Sequence, residues 1–282
     1  MKNDNKIKIN MLSMADSVDG QGVGSAYLEL MKLLKEDGKD DFEIYLNKGT
    51  KYDILHAHTV EPRNYIKMKL TKSPTVAYVH FLPDTLDGSI KLPKFAFGIF
   101  KKYVIKFYKN ADNLVVVNPI FKNDMVKAGI DKDKITYIPN FVSKEMFYKK
   151  EKKEIESIRK KYNIDKKKFV VLGAGQIQNR KGVLDFVEVA KKLPDIEFIW
   201  AGGFSFGGIT DGHHDLKKVM ENPPKNVKFL GIIPRDEMND LFNASDLLFV
   251  PSYNELFPMT ILEAISTDTP ILLRNLELYE DI

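Results

Sequence analysis

Short apolar runs of strand length alternate along the chain with longer segments of helical periodicity. Such runs are typical of buried parallel strands, and the longer segments are typical of the helices that cover them. The pattern predicts one series of strands over 7–12, 53–56, 75–79 and 114–117, and a second over 169–174, 197–200, 227–229, 247–250 and 270–273. The alternation favours an α/β fold with two sheets built from parallel βαβ units.

The gap between the two series places a domain boundary near residue 149. Residues 147–165 contain the run KKEKKE, whose charge is typical of a linker that leads into a helix. A chain of 282 residues suits two domains, and we expect them over 1–148 and 149–282. The last predicted strand lies close to Ile282 with no helix after it, so we expect a second domain that is truncated at its C-terminus.

Composition narrows the class of protein. Hydrophobic residues make up 44% and charged residues 29%, as in ordinary soluble globular proteins. The sequence contains no cysteine, which excludes disulfides, thiolate metal sites and cysteine nucleophiles. It shows neither an apolar signal core nor an apolar run long enough to span a bilayer, so we expect a cytoplasmic protein.

The modest net charge of +4 is unevenly distributed, because one segment, residues 91–109, is rich in lysine. At 100° per residue its lysines fall within an arc of about 140°, opposite a row of apolar side chains. That face is either simply solvated or also binds an anionic membrane surface, with Phe95, Phe97 and Leu92 as apolar wedges. No nucleic-acid recognition motif accompanies it. The six lysines are Lys91, Lys94, Lys101, Lys102, Lys106 and Lys109.

Two glycine-containing loops follow predicted strands. Gly22 and Gly24 precede the first helical pattern, where backbone amides can approach a ligand oxygen. Their spacing matches no dinucleotide or P-loop motif, so an ordinary strand-to-helix turn is an equal alternative. The second loop contains Gly175, Arg180 and Lys181, and its paired cations at a helix entrance match a diphosphate in charge.

Two carboxylates follow the strand predicted over 247–250. Glu255 and Glu263 lie eight residues apart, and a helix that starts near Pro258 puts the first in a loop and the second inside the helix. Both can then face one cleft and accept hydrogen bonds from sugar or ribose hydroxyls. Two solvated surface glutamates are the alternative.

Histidines end two strands of the first series. His56 and His58 close one strand and His80 closes another, so the two strand ends should meet on one face of the sheet. We favour His80 as a polar contact to a transferred sugar. A second group, His213 and His214 with the nearby Asp211 and Asp215, lacks a recognised ligand spacing, and we expect no metal site there.

These residues together resemble the family-4 retaining glycosyltransferases of the GT-B fold, in which two Rossmann-like domains face a central cleft. The pair Glu255 and Glu263, after the strand that begins near Asp246, matches the E-x7-E motif of that family. One position departs from the family pattern. Gln176 stands where an arginine usually follows the glycine of the phosphate loop, so the phosphate charge is expected to fall on Arg180 and Lys181.

The resemblance implies roles for the individual residues. Glu255 would contact the donor sugar, Glu263 the ribose and Lys181 the donor diphosphate, while His80 would lie beside the sugar. His80, Glu255 and Lys181 are therefore the expected catalytic residues, and no metal or other cofactor is implied beyond the UDP-sugar substrate. The expected donor-binding residues are Gly22, Gly24, Gly175, Gln176, Arg180, Lys181, Phe257, Pro258, Met259, Thr260 and Glu263.

A narrower likeness is to the diglycosyl-diacylglycerol synthases of Gram-positive bacteria, carried by residues 14–27 and 200–207. It implies transfer of glucose or galactose from a UDP-sugar to a membrane glycolipid such as monoglucosyl-diacylglycerol, with retention, by an enzyme attached peripherally to the inner face of the membrane. One alternative is a polysaccharide or teichoic-acid acceptor. The other is a non-catalytic nucleotide-binding partner.

Overall fold

The computed structural model describes residues 6–14, 22–86, 93–204 and 212–280. It contains a six-stranded sheet in the order β2-β1-β3-β4-β5-β6 and a five-stranded sheet in the order β11-β10-β7-β8-β9. Neighbouring strands in both sheets run parallel. The strands are β1 Ile7–Leu12, β2 Phe42–Leu46, β3 Ile54–Ala57, β4 Thr75–Val79, β5 Asn113–Val116, β6 Ile135–Tyr137, β7 Val170–Ala174, β8 Glu197–Ala201, β9 Val227–Gly231, β10 Leu247–Val250 and β11 Ile271–Leu273.

Helices flank both sheets, which confirms the predicted two-domain α/β architecture. The chain also contains the 3₁₀ turns Pro83–Leu86, Asn179–Lys181 and Glu277–Tyr279. The helices are α1 Gly22–Glu36, α2 Pro62–Leu70, α3 Lys94–Lys109, α4 Ile120–Lys127, α5 Lys152–Lys161, α6 Val183–Lys192, α7 His213–Glu221, α8 Arg235–Ala244 and α9 Met259–Ser266.

Strands β7 and β8 of the second sheet bury both of their faces. In β7, Leu172 packs with Phe242 in one core cluster, whereas the adjacent Val171 packs with Phe186 and Trp200 in another. Successive side chains of a strand point to opposite faces, so a parallel strand covered on both sides is apolar at every position. That requirement explains why the sequence shows continuous apolar runs here.

Two strands were missing from the prediction, and both lie at edges of the first sheet. β2 has the sequence FEIYL, in which polar residues interrupt the apolar ones, and none of its residues is fully buried. β6 is only three residues long. Edge strands have a neighbour on one side alone, so they need no continuous apolar run.

The predicted linker over 147–165 is wrong in its first half. Phe147 is fully buried in the core of the second domain, where Ile158 and Ile164 join it. Helix α5 begins inside the charged run, at Lys152, and its lysines cover the outer face of an amphipathic helix. The boundary between residues 148 and 149 stays a prediction.

The lysine-rich segment forms helix α3. Its buried face includes Val104, Phe107 and Tyr108, while Lys102, Lys106 and Lys109 are exposed. The ammonium group of Lys101 lies 4.8 Å from the centre of the Phe97 ring. Lys91 and Leu92 lie outside the described residues, as does the side chain of Lys94. Within the described ranges, no helix is long and apolar enough to cross a membrane.

Candidate active site between the two domains

The loop between β7 and α6 turns sharply because two of its glycines have left-handed backbone conformations. Gly175 has φ +135° and Gly182 has φ +69°. A β-carbon at Gly182 would collide with the carbonyl oxygen of Pro251, so only glycine lets this loop lie against the end of β10. The 3₁₀ turn Asn179–Lys181 between them brings the Lys181 side chain back over Gly175.

The two cations of this loop meet the first glutamate of the E-x7-E pair. Lys181 Nζ donates to Oε1 of Glu255 at 2.5 Å, and Arg180 Nη1 lies 3.3 Å from Oε2. Arg180 also donates to the carbonyl oxygen of Asn254 at 2.6 Å. The predicted meeting of the basic loop with the glutamate segment is therefore present in the structure.

The neighbouring cations keep the buried carboxylate of Glu255 ionised. Burial alone would raise the pKa of Glu255, but the adjacent Lys181 and Arg180 outweigh it and hold that pKa below the usual range. Burial also lowers the pKa of Lys181, an effect that Glu255 partly offsets. Any anion that approaches these cations competes with the carboxylate of Glu255 for them.

The second glutamate lies inside a helix, as predicted. α9 begins directly after Pro258, so Glu255 is in the preceding loop and Glu263 is one full turn into the helix. Glu263 is buried and accepts a 2.7 Å hydrogen bond from Arg235 at the start of α8. Burial raises the pKa of Glu263, although the Arg235 guanidinium opposes this shift.

The segment between the glutamates is held by the first domain. Leu256 packs against the first hydrophobic core, and its carbonyl oxygen accepts a 3.0 Å hydrogen bond from Asn118. Asn118 also donates to the carbonyl oxygen of Leu278 at 2.9 Å. Asn140 donates to the carbonyl oxygen of Phe257 at 3.3 Å. The segment between the glutamates, which is predicted to bind the donor, is thus positioned by contacts from the first domain.

The histidines at the two strand ends meet, as the sequence indicated. Nδ1 of His58 lies 3.1 Å from Nε2 of His80, and the ring of Tyr78 stacks on both imidazoles. Burial lowers the pKa of His56 to about 4 and that of His80 to about 3. Both rings are therefore neutral at physiological pH, and His80 can act as a hydrogen-bonding group rather than as a cation.

The remaining predicted donor-binding residues lie at three helix entrances. Gly22 and Gly24 are in the first turn of α1, and Gly24 is buried. Gln176, in the basic loop, accepts a 2.7 Å hydrogen bond from Gln178. Met259 and Thr260 form the first turn of α9, directly after Phe257 and Pro258, where free backbone amides face the helix entrance.

The residues of the site that the sequence did not reveal include Asn118, Asn140, Arg235 and Glu29, whose carboxylate accepts a 2.7 Å hydrogen bond from Arg235. Their partners are far away in sequence, so local periodicity could not reveal them. One signal was nevertheless available. Arg235 is the first residue of α8, where the helix dipole disfavours a cation, and a cation in that position needs a carboxylate partner.

The described residues of the second histidine group do not form a ligand cluster. His213 and His214 begin α7, and His214 contacts the exposed Asp215 at 3.3 Å, while Asp211 lies outside the described residues. Across 6–14, 22–86, 93–204 and 212–280, no group of three or more His, Asp or Glu side chains could hold a metal ion.

Comparison with known proteins assigns a family model to each domain. The model "Glycosyltransferase Family 4" matches residues 23–145, and the model "Glycosyl transferases group 1" matches residues 154–282. The second match contains the basic loop and both glutamates.

Curated relatives cover nearly the whole chain. The alpha-galactosylglucosyldiacylglycerol synthase of Streptococcus pneumoniae is 50% identical over 279 residues, which are 98% of this chain and 75% of the relative. The processive diacylglycerol alpha-glucosyltransferase of Acholeplasma laidlawii is 27% identical over a match that covers 92% of this chain and 76% of the relative.

Among solved structures, the Anabaena protein HepE, crystallised with UDP and glucose, superimposes with a TM-score of 0.72 at 18% identity. The match covers 95% of this chain and 80% of HepE. The likeness is one of fold, and it confirms the expected GT-B arrangement of two facing α/β domains.

Proposed function

The chain belongs to the glycosyltransferases of group 1 and family 4, and from that premise we propose that it transfers glucose or galactose from a UDP-sugar to a diacylglycerol glycolipid with retention. Monoglucosyl-diacylglycerol is the proposed acceptor. The observation that carries the proposal is the contact of Lys181 and Arg180 with Glu255. This contact brings a loop whose cations suit a diphosphate next to a carboxylate that suits sugar hydroxyls. Two relatives support the acceptor class, because one is an alpha-galactosylglucosyldiacylglycerol synthase and the other a diacylglycerol alpha-glucosyltransferase.

In the proposed mechanism, the donor diphosphate lies between the basic loop and the first turn of α9. Lys181 and Arg180 turn from Glu255 towards the phosphate oxygens, because the diphosphate carries more negative charge than one carboxylate. The backbone amides at Met259 and Thr260 add donors at a helix N-terminus. These charges stabilise the UDP leaving group as the bond between the anomeric carbon of the sugar and the diphosphate oxygen breaks.

Release of its cations leaves Glu255 available for the sugar. Its carboxylate then accepts hydrogen bonds from the hexose hydroxyls, while Glu263 accepts from the ribose. His80 donates or accepts a hydrogen bond at the sugar from the first domain, and its neutral state suits that role. The acceptor hydroxyl enters from the first domain and bonds to the anomeric carbon on the face that the leaving group vacates, while its proton passes to the departing phosphate oxygen.

We further propose that α2 and α3 form the surface that attaches to an anionic leaflet. The two helices pack side by side, with the rings of Tyr65 and Tyr103 6.2 Å apart. Their outer surface combines exposed apolar side chains with cations, a combination that suits insertion beside acidic headgroups. The exposed apolar residues are Ile66, Leu70, Phe95 and Ile99, and the exposed lysines include Lys69, Lys102, Lys106 and Lys109.

Sedimentation with vesicles tests this surface. Wild-type protein should pellet with vesicles that contain an anionic lipid and remain in solution with neutral ones. Reversing two charges in K102E/K106E should weaken the binding about tenfold or more, since each lysine contributes about 1 kcal/mol near such a surface. The matched control is K217E/K218E on α7, whose two lysines are also exposed. Equal binding to neutral vesicles would contradict the proposal.

An activity assay tests the transfer reaction. The protein is incubated with UDP-glucose, UDP-galactose and GDP-hexoses in vesicles that contain monoglucosyl-diacylglycerol, and the products are identified by mass spectrometry and NMR. We expect a dihexosyl lipid that forms only with a UDP-hexose and carries an α-linkage. Transfer to a soluble glycan or teichoic acid instead would support the alternative acceptor. Nucleotide binding without any transfer would support a non-catalytic partner.

A further inference from the structure

One arginine connects buried carboxylates from the two domains. Arg235 of α8 donates through Nη1 to Oε1 of Glu263 at 2.7 Å and through Nη2 to Oε1 of Glu29 at 2.7 Å. Glu263 belongs to α9, in the second domain, and Glu29 to α1, in the first. The guanidinium also lies 5.1 Å from the centre of the Phe147 ring.

This network is unusual for a stabilising contact. Both carboxylates are buried, with 3% and 5% of the Glu29 and Glu263 side chains exposed. Burying such charges costs as much free energy as their attraction returns, so apolar residues would serve stability as well or better. Arg235 also occupies a helix N-terminus that disfavours a cation. The arrangement is better explained by a need to fix one carboxylate in position.

The carboxylate of Glu263 is only partly used by this network. Arg235 contacts Oε1, whereas Oε2 makes no hydrogen bond to any residue that the structure describes. Glu29 holds the second η nitrogen of Arg235 and so prevents both nitrogens from engaging Glu263. An arginine facing a single carboxylate prefers to bind both of its oxygens. Glu29 therefore keeps the guanidinium of Arg235 away from Oε2 of Glu263.

Glu29 is itself held in place by the chain that connects the domains. Its other oxygen, Oε2, accepts a 3.2 Å hydrogen bond from the backbone nitrogen of Ser143. Lys32, one turn further along α1, donates to Glu145 at 2.5 Å. The position of Glu29 thus depends on how α1 lies against this segment, and through Arg235 it determines the position of Glu263.

We propose that Glu29 is a positioning residue for the donor: acting through Arg235, it holds Glu263 with one oxygen directed to a nucleoside ribose. The inference rests on the proposed function, because it assigns the ribose contact to Glu263. It adds that a residue of the acceptor-side domain controls nucleotide affinity. Loss of the Glu29 charge lets Arg235 chelate Glu263 and cover its free oxygen.

Calorimetric titration with UDP tests the inference. The variant E29Q should bind UDP about tenfold more weakly than wild-type protein, the effect expected when one charge-assisted hydrogen bond is lost. KM for the donor should rise by a similar factor, with KM for the acceptor and kcat little changed. The matched control is E36Q, which removes an exposed carboxylate from the same helix and should bind UDP as wild-type protein does.

A double-mutant cycle separates positioning from general damage. If Glu29 acts through Arg235, adding E29Q to an R235Q background should weaken UDP binding by less than twofold further. If E29Q does not fold, as judged by circular dichroism, R235K is used instead. It keeps the charge but cannot bridge two carboxylates with the same geometry, and it should also raise the donor KM about tenfold.

Failure of the inference can be told apart from failure of the proposed function. Wild-type protein that binds UDP, together with E29Q that binds it equally well, would overturn the inference alone. Effects of E29Q and R235Q that simply multiply would also overturn it. Wild-type protein without affinity for UDP would overturn the proposed function, and this inference with it.

Discussion

Removal of the Lys181 ammonium should separate the structural role of the basic loop from its chemical role. In the variant K181M, a side chain of similar length keeps the packing over Gly175 but lacks the charge. The carboxylate of Glu255 then retains only Arg180 as a cationic partner, at 3.3 Å.

The structure gives a magnitude for each role. Breaking a buried ion pair costs about 3–5 kcal/mol when the remaining charge has no other partner. Because Arg180 still contacts Glu255, we expect a loss of about 2 kcal/mol in the free energy of unfolding. For catalysis, losing one donor to a developing negative charge lowers kcat by about a hundredfold to a thousandfold.

The assay compares K181M with the double variant K181M/E255Q. Neutralising Glu255 removes the carboxylate charge that Arg180 alone would compensate, so the double variant should recover most of the lost stability in urea denaturation. It should not recover transfer activity, because the leaving group still lacks its cation and the sugar also loses the Glu255 carboxylate. The control K191M removes an exposed lysine that pairs with Glu188 on α6, and it should change neither quantity.

Activity of K181M within about threefold of wild-type protein would refute a role of Lys181 in transfer, since that result would show that Lys181 does not contact the leaving group. Activity that returns in K181M/E255Q along with stability would also refute it. In that case the lysine would serve only to neutralise Glu255.

Three further predictions concern one histidine, one glycine and one asparagine. Burial lowers the pKa of the His56 imidazole to about 4. Below pH 6.5 the unfolded chain therefore binds more protons than the folded chain, and the free energy of unfolding falls as the pH is lowered towards 4. The variant H56N should reduce this slope by about 1.4 kcal/mol per pH unit in urea denaturation, and an unchanged slope would contradict the cause given. G182A should lower the melting temperature and abolish transfer, because the added β-carbon would collide with Pro251 and alanine disfavours a φ of +69°. Normal UDP affinity in G182A would contradict the need for glycine in this loop. N118A should weaken UDP binding and lower the free energy of unfolding by about 2 kcal/mol, because the carbonyl oxygens of Leu256 and Leu278 lose their hydrogen-bond donor. Unaltered UDP binding would show that Leu256 is held by packing alone.

The sequence was informative where local chemistry decides local structure. Pro258 fixes a helix start, so the loop position of Glu255 and the helical position of Glu263 could be predicted from spacing alone. Apolar runs of strand length predicted nine strands, and all nine were found, with small shifts at their ends.

Long-range electrostatic partners could not be predicted in this way. Arg235 and Glu29 are 206 residues apart, and neither belongs to a local motif. The charged run near Lys152 was expected to lead into a helix, and α5 begins there, but the sequence did not show that Phe147 before it is buried against Phe242 in the core of the second domain. In both cases the decisive contact joins residues that are far apart in sequence.

A crystal structure with UDP bound would test most directly whether the basic loop and the glutamate segment share one nucleotide. We expect the diphosphate within hydrogen-bonding distance of Lys181 and Arg180, and the ribose hydroxyls on Glu263. UDP bound elsewhere, with the ion pair between Lys181 and Glu255 undisturbed, would contradict the account.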